Sequence, residues 1–216
     1  INLELSPFLS QTLSMVNERE FILKKQWIEE IKELKKAYPD ISELGTVSGI
    51  NPNKFLHDLS KKSTSASSYV TDVGQHQMWS AQSLEINDNQ KFITCGGMGS
   101  MGFGLPAAIG ASLSNHNSPV VLIAGDGGFQ SNIQELETVV HHNIPIKMVI
   151  MNNQCHGMVR QFQEDYFEKR YQSTLWGYST PNFESISLAY GIKAKTIQKE
   201  EEVESGIDWL WSDINK

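Results

Sequence analysis

The feature that most constrains the fold of this chain is an uninterrupted apolar run, Val120–Ala124, near the middle of the sequence. A strand with one face in water alternates apolar and polar residues, so a run without alternation is typical of a strand buried on both faces. A second run, Ile146–Met151, has the same character apart from Lys147. Helices cover strands of this kind in parallel sheets. The two runs therefore predict an α/β fold, a doubly wound, mostly parallel sheet with helices on both faces.

The rest of the chain alternates between strand and helix patterns around these runs. Further strands are predicted at Tyr69–Val73 and Lys91–Cys95, with a weaker one at Ala194–Ile197. Helices are predicted, mainly from apolar residues at helical spacing, over Ser6–Tyr38, Asn53–Ser60, Met78–Leu84, Leu105–Leu113, Ile133–Val140 and Glu201–Trp211. We expect residues 1–44 to be a helical linker or the tail of a preceding domain, and residues 45–216 to form the ligand-binding domain. Ligands of such sheets bind beyond the carboxyl ends of the strands.

Composition excludes two classes of partner. The formal net charge of −7 leaves no basic stripe to neutralise phosphates, so no nucleic acid is expected. No apolar run approaches the length of a membrane span. Two cysteines, Cys95 and Cys155, are too few for a disulfide framework, so a cytoplasmic location is expected. The first residue is Ile1 rather than Met, so we allow for the sequence being a piece of a longer protein.

A carboxylate follows the first apolar strand at once, in Gly125-Asp126-Gly127-Gly128. The glycines let main-chain N–H groups approach an anion closely, and a helix predicted to open near Ser131 would point its N-terminus there. A bare carboxylate repels phosphates unless a cation lies between them. Mg²⁺ prefers oxygen ligands and shares itself between protein carboxylates and phosphates. The motif therefore predicts a site for Mg²⁺ and a phosphate group.

Asn153 follows the second apolar strand and lies 27 positions after Asp126. That interval holds about one helix and one strand, so both side chains are expected at the same edge of the sheet. A carboxylate and an amide oxygen make two hard ligands with limited negative charge. The main-chain oxygen of Cys155 would supply a third, whereas its thiolate would be a poor partner for Mg²⁺.

Gly-Asp-Gly followed at this distance by Asn-Asn resembles the cofactor motif of enzymes that depend on thiamine diphosphate (ThDP). The resemblance implies that Asp126, Asn153 and the main-chain oxygen of Cys155 hold Mg²⁺, and that the diphosphate helps to complete its octahedron. Either half of the motif alone is more often an ordinary loop. Both halves at this interval, each behind an apolar strand, favour the cofactor.

Two further blocks narrow the resemblance to acetohydroxyacid (acetolactate) synthases, and it runs from about Val70 to Gly191. They are Val73-Gly74-Gln75-His76-Gln77-Met78-Trp79 and Gly99-Ser100-Met101-Gly102-Phe103-Gly104-Leu105-Pro106-Ala107-Ala108-Ile109-Gly110. The resemblance implies that Gln75 and His76, with Gly74, contact the diphosphate from the turn after the first strand. Gly99 and Met101 would meet the aminopyrimidine ring, and Met101 would hold the cofactor in its bent form.

Residues 97–102 also form a GxGxxG pattern between a strand and a helix, which is typical of dinucleotide sites. That fingerprint needs an acidic residue at the end of the next strand. The nearest is Asp126, which already belongs to the Gly-Asp-Gly-Gly motif. A lone GxGxxG is a weak signal, so we do not adopt the dinucleotide interpretation.

The stretch that begins at Gly157 continues the resemblance after Asn153. Gly157 and Met158 would line the cofactor near its thiazolium ring. Phe162 stands where acetohydroxyacid synthases usually carry a Trp that shapes the acceptor pocket. This departure leaves the second substrate open.

The resemblance implies an enzyme that decarboxylates a 2-keto acid such as pyruvate and joins the product to a second carbonyl. No catalytic residue is expected in this chain, because the activating Glu belongs to a separate pyrimidine-binding domain, in the same or a partner chain. A homodimer or tetramer is expected, and FAD and a regulatory subunit are left open. Two alternatives also remain open: another ThDP-dependent carboligase, decarboxylase or oxidase, and a stand-alone domain without catalysis.

Overall fold

The computed structural model describes residues 4–17, 24–42 and 49–212, and the chain divides into two compact units, residues 1–39 and 40–216. The first unit contains helices α1 (Leu5–Asn17) and α2 (Lys25–Ala37). Both helices lie in the segment predicted to be helical, about Ser6–Tyr38, and residues 18–23 between them lie outside the described residues. The predicted domain boundary after residue 44 also lies outside them.

Among its described residues, the second unit has one sheet of four strands, all of them parallel. The strands are β1 (Ser68–Thr71), β2 (Lys91–Thr94), β3 (Val120–Gly125) and β4 (Ile146–Met151). Their order across the sheet is β2-β1-β3-β4. Gly125, the last residue of β3, pairs with Met151, the last residue of β4. The carboxyl ends of β3 and β4 are therefore level, as the positions of Asp126 and Asn153 predict.

Eight helices of the described residues belong to this unit. They are α3 (Pro52–Lys62), α4 (Gln75–Ser83), α5 (Gly104–Ser114), α6 (Asp126–Ser131), α7 (Leu136–His141), α8 (Gly157–Tyr166), α9 (Phe183–Ala189) and α10 (Val203–Trp211), with 3-10 turns at Ile133–Glu135 and Glu200–Glu202. Local chemistry sets some of these ends. Asn51 caps α3 by accepting the Lys54 main-chain N–H at 3.1 Å, and Pro52 fits the first helical turn because that position needs no N–H donor.

The buried residues form two clusters, because alternate residues of a strand point to opposite faces of a sheet. Leu122 and Ala124 of β3 belong to one cluster, with α5, α6 and α7. Val121 and Ile123 belong to the other, with α3 and α10. Both faces of β3 are thus covered, and the predicted doubly wound, parallel α/β fold is confirmed.

Several predicted elements differ from the structure. The helix predicted from Met78 is α4, which begins at Gln75 and so contains Gln75 and His76 in its first turn. The helix predicted over Ile133–Val140, opening near Ser131, is the 3-10 turn followed by α7, whereas α6, which begins at Asp126 and ends at Ser131, was not predicted. The strand predicted at Ala194–Ile197 is wrong, since these residues form no strand.

β4 is consequently an edge strand of the sheet as described, with β2 at the other edge, and all six residues of β4 are half-buried rather than fully buried. An open groove of about 1340 Å³ lies beside β4 and is also lined by residues 191–198 and α10. Among the described residues, no helix is long and apolar enough to cross a membrane.

Candidate functional site

Three helices begin just beyond neighbouring strands at one edge of the sheet. β1, β3 and β4 lead into α4, α6 and α8, whose first residues are Gln75, Asp126 and Gly157. Asn153 joins two of these helix starts, because its Nδ2 donates to the Gln75 side-chain oxygen at 3.2 Å. Gly157 lies so close to this pair that a Cβ there would be 2.0 Å from the same Gln75 oxygen. The close packing explains why α8 begins with a glycine.

Asp126 is a buried carboxylate, only 2% exposed, and its Oδ2 atom has no hydrogen-bond partner. Burial raises the pKa of this carboxyl above its ordinary value. Tyr178 lies close enough for the Asp126 charge, together with burial, to raise the pKa of the phenol. The Tyr178 hydroxyl is likewise buried without a hydrogen-bond partner. A buried oxygen without a donor is costly, and a bound cation would supply its missing partner.

His76 is 4% exposed, and burial lowers the pKa of its ring to about 4. The ring is therefore neutral at pH 7. Its Nε2 atom is buried and has no hydrogen-bond partner. Gly74 and Gly125 pack against the ring, since a Cβ on either would lie within 3.0 Å of it. His76 is thus held rigidly, with one ring nitrogen left for a ligand.

Cys155 is buried, and its main-chain N–H donates to Asn153 Oδ1 at 3.2 Å. Burial raises the pKa of the Cys155 thiol, so the sulfur stays protonated at neutral pH. A protonated thiol is a poor metal ligand, which agrees with a role for the main-chain oxygen instead. In the described part of the chain, no three His, Cys, Asp or Glu side chains cluster as a metal site. The predicted set of one carboxylate, one amide oxygen and one main-chain oxygen is of a different kind.

The residues predicted to contact the cofactor rings and the second substrate are more open. Met101 and Met158, predicted at the rings, are each 43% exposed, and Phe162, predicted in the acceptor pocket, is 54% exposed. The Phe162 ring lies 4.7 Å from the ring of Tyr166 and 5.8 Å from that of Phe167, measured between centroids. Gly99 has a positive φ of 65°, and its closest neighbour is the Val73 side chain, 3.8 Å from a built Cβ. These residues are brought to the same edge of the sheet, but they are not packed into a closed pocket.

Three residues of the site were missed by the sequence analysis. Asp72 follows β1 and is 1% exposed, and a Cβ at Gly128 would lie 2.4 Å from its Oδ1. The sequence analysis placed Asp72 inside the predicted strand Tyr69–Val73, and only the end of β1 at Thr71 shows that it follows the strand as Asp126 follows β3. Tyr178 and His156 have rings 4.5 Å apart, and both pack against Gly127. Tyr178 lies in an irregular stretch between α8 and α9, where no periodic pattern marks it.

Comparison with known families defines the class of protein. The profile of the family described as "Thiamine pyrophosphate enzyme, C-terminal TPP binding domain" matches residues 72–212. That range contains β3, β4 and every candidate site residue named above. The chain belongs to this family, whose cofactor is thiamine diphosphate.

Individual relatives narrow the class further. The chain is 40% identical to the acetolactate synthase large subunit of Porphyra purpurea over 181 residues, covering 84% of this chain and 30% of that protein. It is 44% identical to acetolactate synthase isozyme 2 large subunit of Escherichia coli over 155 residues, covering 72% of this chain and 28% of that protein. The Lactococcus lactis acetolactate synthase large subunit is 42% identical over 77% of this chain and 29% of its own length. This chain therefore spans less than a third of each of these relatives.

Proposed function

We propose that Asp126, Asn153 and the main-chain oxygen of Cys155 hold Mg²⁺, which in turn holds the diphosphate of ThDP. The observation that carries the proposal is the buried Asp126 Oδ2 atom, which has no hydrogen-bond partner. It lies where β3 and β4 end side by side. One carboxylate and neutral oxygens suit Mg²⁺, which completes its octahedron with phosphate oxygens and water. The residues present therefore fit this metal.

The diphosphate itself is assigned to Gln75 and His76. The neutral His76 ring keeps a buried Nε2 without a partner, and in the tautomer with a proton on that atom it donates to an anion. The Gln75 side-chain oxygen already accepts from Asn153, so its amide NH₂ is the group it offers to the diphosphate. Main-chain N–H groups near Gly74, Gly125, Gly127, Gly128 and Gly157 can approach the same anion.

Gly99, Met101 and Met158 are proposed to contact the rings of the cofactor. Apolar side chains here would position the two rings by surface contact rather than by hydrogen bonds. Phe162 is proposed to line the pocket of the second substrate. Residues 45–216 would then form the ThDP and Mg²⁺ domain, and residues 1–44 a linker or the tail of a preceding domain.

The function that these assignments support is the cofactor domain of an acetolactate synthase-like transferase. Bound ThDP supplies a thiazolium carbon that accepts the electron pair released when a 2-keto acid loses CO₂. The chain contributes binding and orientation. We further propose that the complete enzyme is longer than this chain, that a pyrimidine-binding domain supplies the activating Glu, and that it works in the cytoplasm as a homodimer or tetramer. This assembly would act in branched-chain amino acid synthesis, with FAD and a regulatory subunit as optional additions.

The test is product analysis with the complete enzyme, ThDP, Mg²⁺ and pyruvate. Acetolactate is expected, and its formation should stop when Mg²⁺ is chelated. If pyruvate is left unchanged while the enzyme binds ThDP, the acetolactate assignment is wrong and the cofactor assignment stands. Phe162 favours a second candidate, another ThDP-dependent carboligase, which would consume pyruvate but form a different product with a bulkier acceptor.

A further inference from the structure

The buried carboxylate of Asp72 accepts three main-chain N–H groups. Its Oδ1 accepts from Val73 at 2.6 Å and from Gly102 at 3.1 Å, and its Oδ2 accepts from Gly104 at 2.8 Å. The side chain is 1% exposed. Ion pairs within the described residues do not include it. A buried carboxylate is stable only when its charge is compensated, and here main-chain donors do so.

The donors identify the segment that Asp72 holds. Gly104 is the first residue of α5, so the carboxylate lies at the N-terminus of a helix of 11 residues. Free N–H groups and the helix dipole both favour a negative charge there. The Gly102 N–H lies in the turn that leads into this helix. Asp72 therefore ties the end of β1 to residues 99–104, the segment that carries Met101.

A second side chain holds the same turn from the opposite side. Asn132 Nδ2 donates to the main-chain oxygen of Gly102 at 2.6 Å. Gly102 has a positive φ of 87°, and a Cβ there would lie 2.8 Å from the Ser131 Cβ. Two independent reasons therefore favour glycine at this position: the backbone conformation and the lack of space for a side chain. Residues 99–104 are fixed between β1 and the end of α6.

We propose that Asp72 is a positioning residue for the ThDP site, and that with Asn132 it clamps residues 99–104 so that Met101 meets the cofactor rings in one fixed position. This inference rests on the proposed function, because the contact between Met101 and the cofactor rings is itself part of that proposal. Met101 is 43% exposed, so packing within this chain does not fix it, and the main-chain bonds of Gly102 and Gly104, which lie just after it, must hold the segment. A preformed loop binds its ligand without first losing conformational freedom.

The carboxylate cannot be replaced by its amide without loss. Asn has one acceptor oxygen and one NH₂ group, so in Asp72→Asn either Gly104 or Gly102 meets a donor instead of an acceptor. Each hydrogen bond to a charged group changes an equilibrium by about 10- to 100-fold. We therefore expect residues 99–104 of Asp72→Asn to exchange their amide hydrogens about 10- to 100-fold faster than the parent. Apparent ThDP affinity should fall by about the same factor, because fewer molecules hold the loop ready.

The experiment measures hydrogen–deuterium exchange and calorimetric binding on the complete enzyme, with ThDP and with inorganic diphosphate, both in Mg²⁺. Thr71→Val is the matched control: Thr71 is the preceding residue, fully buried, and it loses one hydrogen bond, from its Oγ1 to Thr94 Oγ1 at 2.9 Å. The proposal expects faster exchange confined to residues 99–104 and weaker ThDP binding in Asp72→Asn only. Binding of inorganic diphosphate should weaken less than that of ThDP, because the clamp acts on residues 99–104 at the ring end of the site, although Asp72 also packs against Gly128. A general loss of stability would instead speed exchange throughout and weaken both ligands equally.

Asn132→Ala keeps the proposal testable if Asp72→Asn does not fold, because it leaves the buried carboxylate in place. It should produce the same local exchange and the same selective loss of ThDP affinity, in smaller degree. The proposal is overturned if both variants exchange hydrogens and bind ThDP like the parent. If Asp72→Asn is unfolded, the same result in Asn132→Ala alone overturns it. An equal effect in Thr71→Val overturns it too. A parent enzyme that does not bind ThDP refutes the proposed function instead, while the exchange data still decide whether the clamp exists.

Discussion

His76 and Asp126, which we propose to hold the diphosphate and its Mg²⁺ (the diphosphate end), are 4% and 2% exposed, whereas Met101 and Met158, proposed to contact the cofactor rings (the ring end), are each 43% exposed. Polar atoms at the first end lie buried without partners. Apolar atoms at the second end lie open to solvent. His76 and Asp126 follow the two central strands, β1 and β3, whereas Met101 and Met158 follow the outer strands β2 and β4 of the described sheet, so the difference in burial follows their position in the fold.

This difference in burial indicates which part of the cofactor contributes most to the binding that we propose. A rigid, buried set of unpartnered polar atoms is prepared for an anion and its cation, and it loses little freedom on binding. Open methionines supply surface contact, which becomes strong only when another surface covers the ligand as well. The account therefore assigns most of the binding free energy to the diphosphate end.

The largest effect is expected for Asp126→Ala. Removing the only carboxylate proposed to bind Mg²⁺ should weaken Mg²⁺-dependent ThDP binding by at least about 100-fold, more than the loss of an outer-shell partner of a metal site. Calorimetry of the complete enzyme measures it, with the exposed Asp88→Ala as the control. An Asp126→Ala enzyme that still needs Mg²⁺ and binds ThDP like the parent contradicts the assignment.

His76→Ala should raise the Kd for ThDP by about 10- to 100-fold, the effect of one hydrogen bond to a charged group. Gln75→Ala should act in the same direction. The ring end offers the contrast, because Met158→Ala removes only apolar contact and should cost less. If Met158→Ala raises the Kd for ThDP more than His76→Ala in the same titration, the diphosphate end does not contribute more to binding than the ring end.

At the ring end, Phe162 is expected to affect substrate choice rather than cofactor affinity. Phe has less area than the Trp usual here and no indole N–H, so the acceptor pocket should be wider. The parent should show little preference for 2-ketobutyrate over pyruvate, and Phe162→Trp should raise that preference by about tenfold, roughly what one methylene in an apolar pocket changes. Competition at equal concentrations of both acceptors measures it. A strong preference in the parent that the substitution leaves unchanged would refute this role.

The buried His76 ring also makes stability depend on pH. Its pKa is about 4 in the folded protein against an ordinary value of 6.5, so between these values only the unfolded ring binds a proton. The free energy of unfolding should thus decrease as pH falls from 6.5 to 4, by up to about 1.4 kcal/mol per pH unit from this residue. The raised pKa of Asp126 acts in the opposite direction, but it is shared by parent and variant. Denaturant melts of the parent and His76→Gln should therefore converge at low pH, and parallel curves would contradict the burial of a neutral ring.

The smallest effect is expected for Cys155→Ala. The substitution removes a protonated, buried thiol and keeps the main-chain oxygen proposed as the metal ligand. Mg²⁺ affinity should stay within a factor of about two, since main-chain groups are unchanged and the ion prefers oxygen to sulfur. A large loss of Mg²⁺ affinity without a loss of stability would show that the sulfur takes part.

Sequence patterns predicted the sheet better than the geometry of the site. The apolar run of β3 has only one stable environment, a position covered on both faces, and β4 was placed with its observed bounds. The start of α6 at Asp126 was missed because Gly-Asp-Gly-Gly is a poor helix sequence, and tertiary packing overrides that preference. The strand expected at Ala194–Ile197 was wrong because a short β-rich segment does not by itself pair with a sheet.

The contacts that define the site join residues far apart in sequence, and no local pattern reports them. Asn153 and Gln75 are 78 positions apart, and Asp72 reaches Gly102 across 30. Resemblance to a family identified the first pair as neighbours of one ligand. Tyr178 belongs to no predicted element, so only the folded chain brings its hydroxyl near Asp126. The roles of these residues in binding stay predictions.

The most direct test of the account compares ThDP with thiamine, which has the same rings and no diphosphate, on the complete enzyme in Mg²⁺. If the buried end supplies most of the binding free energy, thiamine should bind at least about 100-fold more weakly, equivalent to more than one charged hydrogen bond. Inorganic diphosphate should displace ThDP, and chelating Mg²⁺ should reduce the difference between the two thiamine compounds to what Gln75 and His76 contribute. Equal affinity for ThDP and thiamine in Mg²⁺ would contradict the account, because the open ring end would then hold the cofactor.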